Sequence, residues 1–177
     1  MKQLYLVFAA VLAACNTTNS NPPNASVVAV KPLRAGVASY QTFAFGTANA
    51  PSTGFEVTPR SIEVQRKVTE LVDTTLEKRG YQRDANSPDL VVKISAGSGT
   101  LRHQDVGRQA QVTLQPRGYI SIDVYDAELG TSVWHGSGQA DIDPDKIDDA
   151  LLARAVEEIL EQFPGRGQSQ QAMGSAN

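Results

Sequence analysis

Cysteine is almost missing from this chain. Cys15 is the only one, so no disulfide can form within the chain and its stability must come from an ordinary hydrophobic core. Histidine is nearly as scarce, with two residues, His103 and His135, which confines any Ser-His-Asp chemistry to those positions. A basic surplus is lacking too. Lys and Arg number 16 against 19 Asp and Glu, for a net charge of −3; nucleic acid would need a basic face, and a polybasic membrane patch is excluded on the same ground. Long apolar runs are missing: the most extended is Leu4 to Ala14, well short of the roughly 20 residues of a transmembrane helix. No lysine-bearing phosphate loop or dinucleotide fingerprint is present. Ser98 in Gly97-Ser98-Gly99 and Ser137 in Gly136-Ser137-Gly138 lack the Gly-x-Ser-x-Gly spacing of a nucleophile elbow. No cofactor is expected.

What is there begins at the N-terminus. Lys2 supplies a positive end, Leu4 to Ala14 an apolar stretch, and Ala13-Ala14 small residues before Cys15, the three parts of a secretory signal. Leu12-Ala13-Ala14-Cys15 resembles the lipobox of bacterial lipoproteins, which implies cleavage between Ala14 and Cys15, a diacylglycerol on the Cys15 thiol and acylation of the new amino group. The expected membrane contact is then through these acyl chains, since one chain anchors marginally and several hold firmly. Asn16, rather than Asp, follows the cysteine; this resembles outer-membrane sorting, so the expected location is the outer membrane, facing the periplasm. Without residues 1–14, 163 remain at a net charge of −4, a length that suits one domain.

Residues 15–36 are expected to be the lipidated cysteine and a tether, because Asn16 to Ser26 carries no charge and no large apolar side chain and cannot offset its ordering entropy. Val27 to Val30 fits either a short edge strand or more tether. The folded unit is expected at 37–164, with a disordered tail at 165–177. Tyr40 to Phe45 is a strand candidate. Thr58-Pro59 supplies a capping hydroxyl followed by Pro at the first helical position, and Val64, Val68, Leu71, Val72, Thr75 and Leu76 recur at helical spacing up to Gly80. Asp89 to Ser95 is a β-branched strand. Gly97 to Arg117 reads as strand or loop. Tyr119 to Tyr125 alternates, with Ile120, Ile122 and Val124 on one face. Asp126 to Gly130 turns the chain into a partner strand beginning at Ser132. Asp143-Pro144 repeats the cap-and-proline pair before a second helix, whose Ile147, Leu151, Ala155, Ile159 and Leu152, Val156, Leu160, Phe163 form adjoining stripes. The expected fold is α+β: an antiparallel-rich sheet of about four or five strands with two amphipathic helices packed on one face.

Phe43-Ala44-Phe45, Lys78-Arg79-Gly80-Tyr81 and Pro88-Asp89-Leu90-Val91-Val92 resemble the first half of the domain of unknown function 4136. Gly118 to Asp126, Val133-Trp134-His135-Gly136 and Phe163-Pro164 resemble its second half. The resemblance spans Tyr40 to Pro164; it implies a Gram-negative lipoprotein and carries no catalytic residue to transfer. Tyr119 and Tyr125, where smaller or aliphatic residues are more usual, and the length of Gly97 to Arg117 depart from the pattern.

Asp141, Asp143 and Asp145 have the first three spacings of a calcium loop, but Lys146 and Leu152 stand where Gly and Glu are required. These acids are therefore read as stabilising a helix N-terminus, with Asp143 as its cap and no metal bound. His103 is assigned to a solvated loop. If Ile120, Ile122, Val124 and Trp134 face the helices, Tyr119, Ser121, Asp123, Tyr125, Val133 and His135 point the other way. Tyrosines among polar groups on a rigid sheet suit protein or glycan contact, so Tyr119, Asp123, Tyr125 and His135 are the candidate partner-binding face. The preferred function is a non-catalytic binding or scaffold module of the cell envelope, with envelope proteins or peptidoglycan as partners. The alternative is a small hydrolase of envelope material, against which the lack of a paired nucleophile and base counts.

Overall fold

The computed structural model describes residues 26–31, 39–104, 112–143 and 146–165. The signal, Ala14, Cys15 and the tail from 166 onward lie outside the described residues, as does Asp145.

Helix α1, Pro59–Lys78, starts as its sequence dictates. The Ser61 N–H donates to the Thr58 hydroxyl at 3.1 Å and the Thr58 N–H to the Ser61 hydroxyl at 2.7 Å, a reciprocal box that satisfies two helix-end donors. It stops at Gly80, whose φ of +91° lets the Tyr81 N–H reach back to the Leu76 carbonyl and the Gly80 N–H to that of Glu77, the two bonds of a Schellman cap. Val68, Val72 and Leu76 are buried on one side.

The strands form one mixed sheet: β1 (Ser26–Lys31), β2 (Thr42–Phe45), β3 (Gln82–Arg83), β4 (Leu90–Gln104), β5 (Val112–Asp126) and β6 (Ser132–Asp141), in the order β1-β6-β5-β4-β2-β3. The β1–β6, β4–β5 and β5–β6 pairs are antiparallel, in keeping with the expected antiparallel-rich sheet, but the sheet is mixed and has six strands rather than four or five. The β2 strand runs parallel to β3 and β4, because α1 carries the chain back along its length before β4 begins. β1 pairs antiparallel with β6, so the sheet reaches to Ser26, earlier than the expected start at 37. β4 and β5 pair without a break from Leu90↔Asp126 to Gln104↔Val112. Gly97 to Arg117 is therefore mostly the far half of a long hairpin, and His103 belongs to a strand rather than a loop.

Both helices cover one face. Val68, Val72 and Leu76 of α1 share a single core with Val156, Ile159 and Leu160 of helix α2 (Asp149–Leu160) and with Leu90, Val92, Ile94, Ile120, Ile122, Val124 and Trp134 of the sheet. The cap of α2 is Asp148, whose carboxylate accepts from the Leu151 N–H at 3.0 Å. Asp143 is not the cap; its carbonyl accepts from the Lys146 N–H, and the helix begins five residues beyond the Asp143-Pro144 pair. Of the two α2 stripes, the one containing Val156, Leu160 and Phe163 is buried in the core. The other is buried only at Ile159; Ile147, Leu151 and Ala155 are half-buried.

Candidate functional site

Period-2 alternation holds for most of the sheet face turned away from the helices. In β5, Ile120, Ile122 and Val124 enter the core, and Trp134, paired with Val124, joins them at 0% exposure. Val133 departs from the expectation. The ladder slips between Val124↔Trp134 and Tyr125↔Ser132, so Val133 is the extra residue of a bulge and joins the core cluster instead of pointing outward.

The candidate face itself is not open across its whole width. Residues 46–57, the connection from β2 to α1, fold over it. Glu56 and Ser98 exchange backbone hydrogen bonds at 2.9 and 3.0 Å, and Phe55 stacks on Tyr119 with ring centres 5.0 Å apart. Gly97 and Gly99 permit this approach: a Cβ on Gly97 would lie 2.9 Å from the Phe55 Cβ, and one on Gly99 would run into the Gly54 carbonyl oxygen. Tyr119 is consequently buried, and the expectation that it faces solvent is corrected.

The remaining candidates converge. Asp123 and His135 are cross-strand partners, and the His135 Nδ1 lies 2.6 Å from the Asp123 Oδ1. The Asn49 amide donates to the Asp123 Oδ2 at 3.2 Å and to the Tyr125 hydroxyl oxygen at 3.1 Å. The Asn49 carbonyl in turn accepts from the Ser95 hydroxyl at 2.8 Å, which fastens the loop to β4. The Lys93 ammonium lies 4.5 Å from the centre of the Tyr125 ring, within cation–π range. The side chain of His135 is 30% exposed, that of Asp123 14%. A carboxylate on Nδ1 fixes the imidazole orientation and leaves Nε2 for a further contact. The cluster thus presents a cation, an oriented imidazole and a phenol at fixed positions on a sheet. Lys93 and Asn49 escaped the sequence reading, because neither belongs to a motif and their neighbours are set by the fold. The one available signal for the loop was the Gly97/Gly99 pair inside a strand, which marks close backbone approach.

Among the described residues no serine hydroxyl is hydrogen-bonded to the His135 ring; Ser121 instead points to the Asp123 carboxylate at 3.4 Å. No group of three or more His, Cys, Asp or Glu among the described residues could hold a metal ion. No helix among them is long and apolar enough to cross a membrane.

Comparison with known proteins follows the architecture. The family described as domain of unknown function (DUF4136) matches residues 31–165. No curated protein is significantly similar in sequence. Among solved structures, a PDZ domain protein from Parabacteroides distasonis superimposes with a TM-score of 0.52 at 14% identity, over 81% of this chain and 38% of that one. This chain therefore corresponds to well under half of that protein. The PelC dodecamer from Paraburkholderia phytofirmans gives a TM-score of 0.50 at 14% identity, over 80% of this chain and 99% of that one. At such identities the likeness is one of fold.

Proposed function

The chain belongs to the DUF4136 family, and from that premise we propose that it is a lipid-anchored binding module of the cell envelope, held at the outer membrane through Cys15 and facing the periplasm. Its contact surface is the uncovered part of the sheet around Asp123, Tyr125 and His135. One observation carries this reading: Asn49 of the covering loop holds Tyr125 and Asp123 of β5 holds His135, with Lys93 beside them, while His135 keeps exposed surface. Preorganised aromatic and polar groups of this kind bind without the entropic cost of ordering them. The leader and the Leu12-Ala13-Ala14-Cys15 sequence support the anchor. The partner is an envelope protein or peptidoglycan, met by hydrogen bonds from His135 and Tyr125 and by the Lys93 charge.

In-cell crosslinking of the full-length protein tests both halves. Tyr125→Ala and His135→Ala should lose crosslinked partners while the denaturant midpoint changes by the equivalent of about 1–3 kcal/mol, the worth of the bonds each gives up, with the fold retained. Cys15→Ser should remove the protein from the acyl-labelled, detergent-extracted membrane fraction. Retention of every partner by both face variants refutes the contact surface, and normal acyl labelling of Cys15→Ser refutes the anchor.

A further inference from the structure

The half-buried stripe of α2 borders a cavity of about 330 Å³. The void lies between the first turns of α1, helix α2, the middle of β4 and β5 and the end of β6, on the helix side of the sheet. Val64, Ile120, Ile142, Ile147, Leu151 and Ala155 supply much of its apolar wall. Protein interiors are packed like organic crystals and leave few voids larger than a water molecule. A space of this volume instead falls in the range of small-molecule pockets, about 300–1,000 Å³.

The charges around it are unevenly engaged. Of the four carboxylates on the lining, Asp141 pairs with Arg117 at 3.0 Å, Glu158 pairs with Arg154 at 2.7 Å, and Asp148 caps α2. Asp143 is exposed. Two cations share the lining, exposed Lys146 and half-buried Arg60. Neither makes an ion pair among the described residues. Arg60 also borders the adjoining groove, which Glu56, Thr58, Glu63, Thr100 and Pro116 help to line, so this one arginine is shared by the cavity and the groove. An apolar wall bordered by an arginine that makes no ion pair among the described residues complements a single aliphatic chain with an anionic head. The planar fork of Arg suits a carboxylate or phosphate in bidentate fashion.

We propose that this cavity binds a single-chain anionic amphiphile, its chain along Ile147, Leu151 and Ala155 and its head group on Arg60. The site is separate from the Asp123–His135 cluster, and the inference stands whether or not that face binds a partner. Two consequences distinguish it from non-specific partitioning. Affinity rises about fourfold with each added methylene, the equivalent of burying one CH₂, until the cavity is full, and then levels off. Removing the Arg60 charge weakens carboxylate binding and leaves a neutral-headed chain unaffected.

The test uses the full-length protein in nanodiscs of zwitterionic lipid and a dodecanoate carrying a photoreactive diazirine on its chain. Adducts should map to the peptides containing Ile147, Leu151 and Ala155, and unlabelled octanoate, decanoate and dodecanoate should compete in that order. Competition by dodecanoate against lysophosphatidylglycerol of equal chain length distinguishes a free fatty acid from a membrane phospholipid as the source. Ala155→Phe, with Leu151→Trp as a second filling variant, should abolish the adduct while the circular dichroism spectrum is retained. Arg60→Gln should reduce labelling by the acid about tenfold and leave labelling by its methyl ester unchanged. Adducts scattered over the surface, or undiminished in both filled variants that retain the fold, overturn the site; an Arg60→Gln variant that labels like the parent overturns the head-group assignment.

Discussion

Asp89 concentrates several bonds on one carboxylate. Its Oδ2 accepts the Gln41 N–H at 2.7 Å and the Thr42 N–H at 2.9 Å, while its own N–H donates to the Thr42 hydroxyl at 2.9 Å. The side chain therefore holds the start of β2 against the start of β4, where the parallel pair begins. These bonds favour the ionised form. The Gln41 N–H is the largest influence; burial opposes it, the Thr42 bonds add to it, and together they hold the carboxyl below its ordinary value of 3.8. A folded-state value below the unfolded one stabilises the fold above the unfolded value and ceases to do so as pH falls through the folded one. Stability should thus decline as pH drops below about 4, and Asp89→Asn should flatten that decline in denaturant titrations between neutral and acid pH. An Asn variant with the same acid slope as the parent would assign the loss to other carboxylates. In the sequence, Asp89 was legible as the start of a strand and as part of a family resemblance, but not as a clasp; its partners Gln41 and Thr42 lie more than forty positions away, and no local pattern connects them.

At the scale of elements, periodicity was legible and pairing was not. Both helices show in the 3.6-residue recurrence of apolar side chains, and the core face of β5 shows in strict alternation, because these patterns are local. The parallel placement of β2 beside β4 is a contact across the whole of α1. The covering loop at 46–57 has no period to detect, which is why Tyr119 reads as an outward residue. The Ile147, Leu151 and Ala155 stripe of α2 reads as apolar like its neighbour because spacing reveals which residues share a side, not whether anything fills the space opposite them. The start of α2 shows a local signal overridden. The Asp143-Pro144 pair reads as the cap, but the chain uses Asp148, leaving Ile142 and Ile147 to line the cavity ahead of the first turn. Asp148→Ala should therefore cost about 0.5–2 kcal/mol, the usual worth of a helix cap, and Asp143→Ala should cost less. Equal losses in the two variants, measured by urea denaturation, would place the effective helix start at the earlier aspartate.

The whole molecule is closed by its last described turn. Phe163 follows α2 and is 1% exposed. Its ring centre lies 5.6 Å from that of Tyr81, just after α1, and 5.3 Å from that of Trp134 on β6. The Arg79 guanidinium donates to the Phe163 carbonyl and the Tyr81 hydroxyl donates to that of Pro164 at 3.3 Å. The residues that carry the family resemblance thus meet in space: the end of α1, the Trp134 strand and the Phe163-Pro164 terminus form one junction. Gly136 belongs to it, because a Cβ there would run into the Trp134 ring and lie 2.7 Å from Ile159. With no disulfide available, this junction ties the end of the second helix to the first helix and the sheet by ring packing and these two hydrogen bonds. Truncating a buried Phe to Ala costs about 3–5 kcal/mol, a large share of the roughly 5–15 kcal/mol that separates a folded domain from its unfolded chain. Phe163→Ala should lower the denaturant midpoint by the equivalent of about 3–5 kcal/mol with an unchanged slope, since the same surface is exposed on unfolding. Arg79→Gln, which removes a single donor to a carbonyl, should cost about 1.5–3 kcal/mol at most. A Phe163→Ala variant within 1 kcal/mol of the parent would mean that the C-terminal turn rests on the core without holding it. A markedly reduced slope in that variant would mean that α2 had already come away from the sheet before the rest unfolds.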